Sequence, residues 1–154
     1  MSIETARAHL ARFGRDDDVI ETAESSATVE LAAAALGVEP ERIAKTLGFY
    51  DADGGAILVV AAGDARVDNA KFKAAFGLKA KMLRGEDVER LTGHAPGGVC
   101  PFAKPADAHV HLDASLRRFP SVFPAVGNAA SAIELTPDEL EQVAEPDGWV
   151  DVTK

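Results

Sequence analysis

Two periods of apolar and polar residues alternate along the chain. Spacings of three and four mark helices, and a spacing of two marks strands. Ile3, Ala6, Leu10 and Phe13 share one face of a helix over residues 2–13, with Ser2 as N-cap and Gly14 as stop. Asp16–Asp18 reads as a turn and Val19–Ala23 as a short strand. Ser25, Ser26 and Thr28 offer cap oxygens to a second helix that runs to Leu36 and closes at Gly37. Pro40 suits the first turn of a short helical segment over Glu41–Ala44. Ile43, Lys45, Leu47 and Phe49 then alternate on one face of a strand over 43–50. Asp53-Gly54 is a hairpin turn pair leading into Ala56–Ala62, which is apolar on both faces and therefore central in a sheet.

Asn69 is placed to cap a helix that buries Phe72, Ala75 and Phe76 and stops at Gly77. Lys79–Leu83 reads as a strand, and Glu86–Thr92 as a helix with Val88 and Leu91 inward and Gly93 as stop. Further strands are predicted at His109–Asp113, Val122–Ala125 and Ser131–Leu135, the last two joined by a Gly127-Asn128 turn. Thr136-Pro137-Asp138-Glu139 is a capping box with proline at the first helical position, so a helix follows to Ala144. Trp149–Val152 closes the pattern as a strand. Mixed strands and helices with a central hairpin predict an α/β fold. A single domain over residues 1–154 is expected, with a mixed, curled, barrel-like sheet flanked by helices.

Composition narrows the function classes. The apolar fraction of 47% and charged fraction of 27% are those of an ordinary globule, and no apolar run is long enough to span a bilayer. The N-terminus shows no basic-then-apolar leader, and the single cysteine, Cys100, cannot form an internal disulfide, so a cytoplasmic protein without membrane contact is expected. A net charge of −9 argues against broad nucleic-acid binding. The charge is uneven, however: Arg66, Lys71, Lys73, Lys79, Lys81 and Arg84 face only Asp68 as an acid between them. That stretch reads either as a local positive patch or as a solvated helix face.

Candidate chemistry is sparse. Lys45 interrupts an apolar stripe, so its ammonium either snorkels at the strand's mouth or is aimed into a pocket. The segment His94–Pro105 holds three prolines and two adjacent glycines, Gly97 and Gly98, which exclude a regular element and let backbone N–H groups approach a ligand. It reads equally as a structural turn crossing the sheet. No phosphate-binding lysine loop, dinucleotide glycine fingerprint or Gly-x-Ser-x-Gly elbow is present. His109 and His111 lie on one strand face but have no cysteine or third histidine nearby in sequence, so no metal is expected. Cys100 reads as a small buried thiol, with nucleophile as the lesser alternative and His94 as its candidate partner. A lysine beside backbone donors suits an anion or a developing oxyanion.

Several motifs carry a resemblance. Ile43-Ala44-Lys45-Thr46-Leu47, the Gly63–Asp68 turn, Thr92-Gly93 and Gly97-Gly98-Val99-Cys100-Pro101-Phe102 occur in that order. They precede the Gly127 turn, Ile133-Glu134-Leu135 and the capped helix. In order and spacing this resembles the YbaK/ProX family of aminoacyl-tRNA deacylases, related to the editing domain of some prolyl-tRNA synthetases. The resemblance implies hydrolysis of the ester joining a wrong amino acid to tRNA, typically tRNA(Pro), with no metal or organic cofactor. It implies Lys45, Gly97 and Gly98 as catalytic positions. Substrate contacts are expected from Thr46, Val99, Cys100, Pro101, Thr28 and Gly127, and RNA contacts from Arg66, Lys71 and Lys73. The implied partners are the tRNA 3′ end, held transiently, and prolyl-tRNA synthetase. The chain departs from the family pattern at Ala132, where some members have an acid, and at Cys100, where some have serine. Thr22, Ala23, Ala27 and Thr28, in the stretch expected to form part of the aminoacyl pocket, are small. Alanine, cysteine, serine and 2-aminobutyrate therefore stay open as the removed amino acid. The alternative from another class is a non-catalytic module that keeps the fold to bind an amino acid, a tRNA end or a synthetase.

Overall fold

The hairpin of β2 (Ile43–Tyr50) and β3 (Ala56–Ala62) is the centre of the structure, a computed structural model that describes residues 2–22 and 28–154. All seven residues of β3 are buried, as its two-faced apolar pattern requires. β3 pairs antiparallel with β2 and parallel with β4 (Ala108–Asp113). The five-stranded sheet has the order β5-β2-β3-β4-β7, with β5 at Phe123–Pro124 and β7 at Gly148–Val150. β1 (Ile20–Glu21) and β6 (Ser131–Ala132) form a separate antiparallel pair. Single bridges, Ala125 to Ala132 and Val122 to Leu135, stitch that pair to the edge of the large sheet. The order is that of an open mixed sheet with β5 and β7 at its edges.

Among the described residues five helices flank the strands: α1 (Ser2–Ala11), α2 (Val29–Leu36), α3 (Asn69–Phe76), α4 (Gly85–Thr92) and α5 (Pro137–Ala144). α5 starts at the predicted capping box: the Thr136 hydroxyl accepts from the Glu139 N–H, and the Glu139 carboxylate accepts from the Thr136 N–H. One face of the sheet, with Leu58, Val60, Val110 and Leu112, packs against Leu10 of α1 and Leu140 and Val143 of α5. The other face gathers Phe49, Ile57 and Val59 around Phe72 of α3. Asp113, at the end of β4, is buried and bound by three donors: the N–H groups of Ser115 and Val152 and the Thr153 hydroxyl.

Some predicted elements differ. The first helix ends at Ala11, and residues 12–14 close through i−3 bonds. Asp68, not Asn69, caps α3, because its carboxylate reaches the Lys71 N–H. The 41–44 helical segment is only a three-residue 3-10 turn, Pro40–Arg42, so Ile43 and Ala44 already belong to β2. Lys79–Leu83 is not a strand. It runs irregularly beside β2, giving the Tyr50 N–H an acceptor at Lys81 and donating the Leu83 N–H to Gly48. β5 and β6 keep two residues each of the longer strands expected, and the buried Gly127 lies in the turn between them. The expected caps Ser25 and Ser26, and Ala23 at the end of the first strand, lie outside the described residues. Thr28 alone caps α2, accepting from the Leu31 N–H.

Candidate active site

Lys45 is the third residue of β2, so it belongs to the strand rather than to a helix end. It stands opposite Ala61 of β3, whose methyl leaves room for a long side chain. The half-buried ammonium donates to two main-chain carbonyls, Gly63 at 3.2 Å and Ala65. These belong to the turn that ends β3, and the turn is tightly placed: a Cβ at Gly63 would lie 2.0 Å from the Pro40 carbonyl oxygen. Burial lowers the Lys45 pKa below the usual lysine value, helped by Arg66 and opposed by Asp64 and Glu30. The amine is therefore oriented by acceptors that carry no full charge, which leaves its positive charge unneutralised at contact distance.

Lys45 lines a cleft of about 200 Å³ together with Thr46, Gly97, Val99 and Thr28. Val29, Ala32 and Leu36 of α2 and Phe123 of β5 make its apolar side, and Ser131 of β6 adds a hydroxyl bonded to the Val126 carbonyl. Thus the strand lysine and the glycine loop, fifty-two positions apart in sequence, share one cavity. Val29 and Ala32 fall in the 21–34 stretch expected to supply part of the aminoacyl pocket, whereas Phe123 and Ser131 carried no sequence signal, since they sit on two other short elements and only the packing of α2 over the edge of β2 gathers them.

The loop is a built turn. Gly98 N–H donates to the Ala95 carbonyl at 3.0 Å, with Pro96 and Gly97 between them and Gly97 at φ +89°. Proline followed by a left-handed glycine is the signature of a type II turn. The Gly98 amide is thereby committed, leaving Gly97 and Val99 as the loop residues that line the cleft. Gly98 is buried against the second turn: a Cβ on it would lie 2.6 Å from Asn128 Cα and 2.8 Å from the Gly127 carbonyl oxygen. Gly127 itself is buried at φ +84° and supports the loop rather than lining the cleft.

Cys100 and Pro101 are buried beneath the loop and do not line the cleft. The Cys100 Sγ lies 3.4 Å from His94 Nε2, but that nitrogen is also 2.6 Å from the Phe102 carbonyl, which can only accept. His94 Nε2 is therefore protonated and cannot take a proton from the thiol. Burial pushes the Cys100 pKa up to about 12 and lowers that of His94. The alternative of a cysteine nucleophile paired with His94 fails on both counts.

The remaining expected contacts are dispersed. Arg66 and Lys73 are exposed, while Lys71 binds Asp151 at 3.2 Å and the Thr153 carbonyl at 2.8 Å. His109 and His111 do not converge: His109 Nδ1 meets Asp147 at 2.8 Å, and His111 packs edge-on against Phe76. Asp51, Asp53 and His109 place ligand-type atoms within 4.8 Å of one another, at the hairpin end of β2 away from Lys45. Among the described residues no helix is long and apolar enough to cross a membrane.

Comparison with known proteins bears on the family and the fold. The chain is 50% identical over 154 residues to the uncharacterized protein YwhH of Bacillus subtilis (strain 168), covering all of this chain and 98% of that one. It is 29% identical over 118 residues to a candidate Cys-tRNA(Pro)/Cys-tRNA(Cys) deacylase, EbsC, of Enterococcus faecalis, covering 76% of this chain and 72% of that one. Among solved structures, a candidate trans-editing enzyme for prolyl tRNA synthetase superposes with a TM-score of 0.88 at 30% identity, over 99% of this chain and 97% of that one. A family model of the aminoacyl-tRNA editing domain matches residues 23–143, the span that carries Lys45, the glycine loop and every wall of the cleft, and the chain belongs to that family.

Proposed function

We propose that this protein hydrolyses the ester of mischarged aminoacyl-tRNA, acting in trans on tRNA(Pro) that carries a small wrong amino acid. The observation that carries the reading is the shared cleft: Lys45 and Thr46 on one strand line the same cavity as the loop residues Val99 and Gly97, the latter bare of a side chain. The ester lies across this gap. Lys45 holds the ribose or phosphate of the terminal nucleoside, and the Gly97 and Val99 amides polarise the ester carbonyl while water attacks. Gly98 is a positioning residue whose N–H sets the turn. The acyl side chain is directed towards Val29 and Ala32, where space selects small groups over the proline ring by steric exclusion. Alanine, serine, cysteine and 2-aminobutyrate are the candidates. EbsC, named for Cys-tRNA, makes cysteine one of the first to test.

Releasing amino acids from a panel of mischarged tRNAs tests the reaction. Lys45→Ala should lower kcat/KM about 100- to 1000-fold, the scale of losing one preorganised donor. Its circular dichroism should remain native with a reduced Tm, since two carbonyls lose their donor. Full turnover by Lys45→Ala, or equal hydrolysis of correctly charged Pro-tRNA(Pro), would refute the proposal. The alternative of a non-catalytic binding module draws on one observation, the two carbonyls that tie down the Lys45 amine. On that reading the variant loses Tm while the wild type releases no amino acid from any charged tRNA.

A further inference from the structure

A second recess, of about 150 Å³, adjoins the cleft and shares Thr46 and Val99 with it as a common wall. Its lining is aliphatic, with Leu47, Leu83, Val88 and Pro96. Met82 stands at its mouth, 58% exposed, the most exposed large apolar side chain among the described residues. Two hydroxyls border the recess. That of Thr92 is spent on the Val88 and His94 carbonyls, whereas Thr46 Oγ1 is buried without a hydrogen-bond partner. The main chain at Thr46 is equally unusual. β5 pairs with the outer edge of β2 at Ile43 and Ala44, and the 81–83 segment bonds it at Gly48 and Tyr50. Between them, among the described residues, no strand pairs with that edge at Thr46. A polar residue with spare hydrogen-bonding capacity thus stands where the two hollows meet.

We propose that this recess receives the terminal nucleobase of the RNA end whose aminoacyl group occupies the main cleft; the assignment rests on the editing reading above. An aminoacyl nucleoside branches at the ribose into a small acyl arm and a flat base. The main cleft supplies what the ester needs, an ammonium and main-chain donors, and its own apolar walls for the acyl arm. The recess supplies what a base needs, aliphatic flanks without charge against which the flat apolar faces of a base can be buried. The polarisable thioether of Met82 can close over it. The sequence around the mouth is basic in an otherwise acidic chain, with Lys79, Lys81 and Arg84 all exposed. α4 contributes Glu86 and Asp87 nearby, but Arg84 lies 3.9 Å from Glu86, and Asp87 is held by Tyr50 and Arg90. The ribose at the branch point lies beside Thr46, whose groups it satisfies, and the preceding phosphate meets the basic rim.

The chain has two methionines, Met1 and Met82, so ¹³C-labelling of the methionine methyls gives a simple spectrum in which Met82→Leu identifies the signal at the proposed site. AMP should move the Met82 methyl. Val88→Phe, which fills the recess, should abolish that shift and raise KM for a mischarged tRNA about tenfold, with kcat changed less than about twofold. Met82→Glu, at an exposed position that the fold does not need, should raise KM in the same way. If AMP binds while no mischarged tRNA is hydrolysed, the recess assignment stands and the editing reading falls. If the protein deacylates tRNA but AMP leaves the Met82 methyl unmoved, or alanine methyl ester moves it as far as AMP does, the recess is not a base site.

Discussion

A methyl group added at Gly98 would sit 2.6 Å from the Asn128 Cα, closer than carbon atoms can approach, and backbone on both sides cannot yield as a flexible side chain would. Gly98→Ala should therefore push the loop off the Gly127 turn and lower both kcat/KM and the urea midpoint, whereas a residue that only touched substrate would leave the midpoint alone. Two residues further on, the Cys100 thiol is fully buried with its pKa at about 12. A disulfide reagent at neutral pH should modify it only as fast as the protein opens, so thiol release should track unfolding. Fast labelling of the native protein would show a thiol far more accessible than the fold allows. The sign of its pH effect follows from the raised value. Its contribution to stability is complete below the ordinary thiol range and is lost as pH climbs towards 12.

At the scale of elements, short polar signals and long apolar ones behaved differently. The β2–β3 hairpin and α5 were legible because each rests on local chemistry: Asp53 Oδ1 accepts the Gly55 N–H, and the Thr136 box closes on itself. Lys79–Leu83 was not, since its backbone bonds go to β2 at only two points and Met82 turns outward. The end of β4 shows how distant segments are fastened. Asp113 holds Val152 and Thr153 of the C-terminal segment as well as Ser115. Asp113→Ala strands these donors in a buried site, and chemical denaturation should read a loss of about 3 kcal/mol or more.

For the whole molecule, acidity should be the weak side. His94 and His111 have pKa values lowered by burial, so on acidification the unfolded chain takes up these protons near 6.5, before the folded chain does. Unfolded molecules then bind more protons than native ones, and stability falls as pH drops below that value. Asp147 and Asp51 facing His111, and the Phe102 carbonyl beside His94, moderate the effect without reversing it. Urea midpoints measured from neutral to mildly acidic pH should decline, and the double variant His94→Gln, His111→Gln should decline less. A double variant as acid-sensitive as the wild type would place the titrating groups elsewhere.

The sequence by itself determined what local geometry can encode. It held the helix caps and stops, the two-residue alternation that marks β2, the buried run of β3, and the prolines and paired glycines that keep residues 94–105 out of any regular element. It also held the order of motifs that identifies the editing family. Tertiary structure alone decided which of these residues meet. Gly97 reaches the Lys45 strand because Gly98 can press against the Gly127 turn. Lys45 is aimed because the Gly63 turn closes on Pro40, and Cys100 is withdrawn because His94 and Phe102 cover it. The second recess exists only because two unrelated segments each cover part of one strand edge and stop on either side of Thr46. Contacts of that kind depend on the distance between chain segments after folding, and no spacing along the chain records that distance.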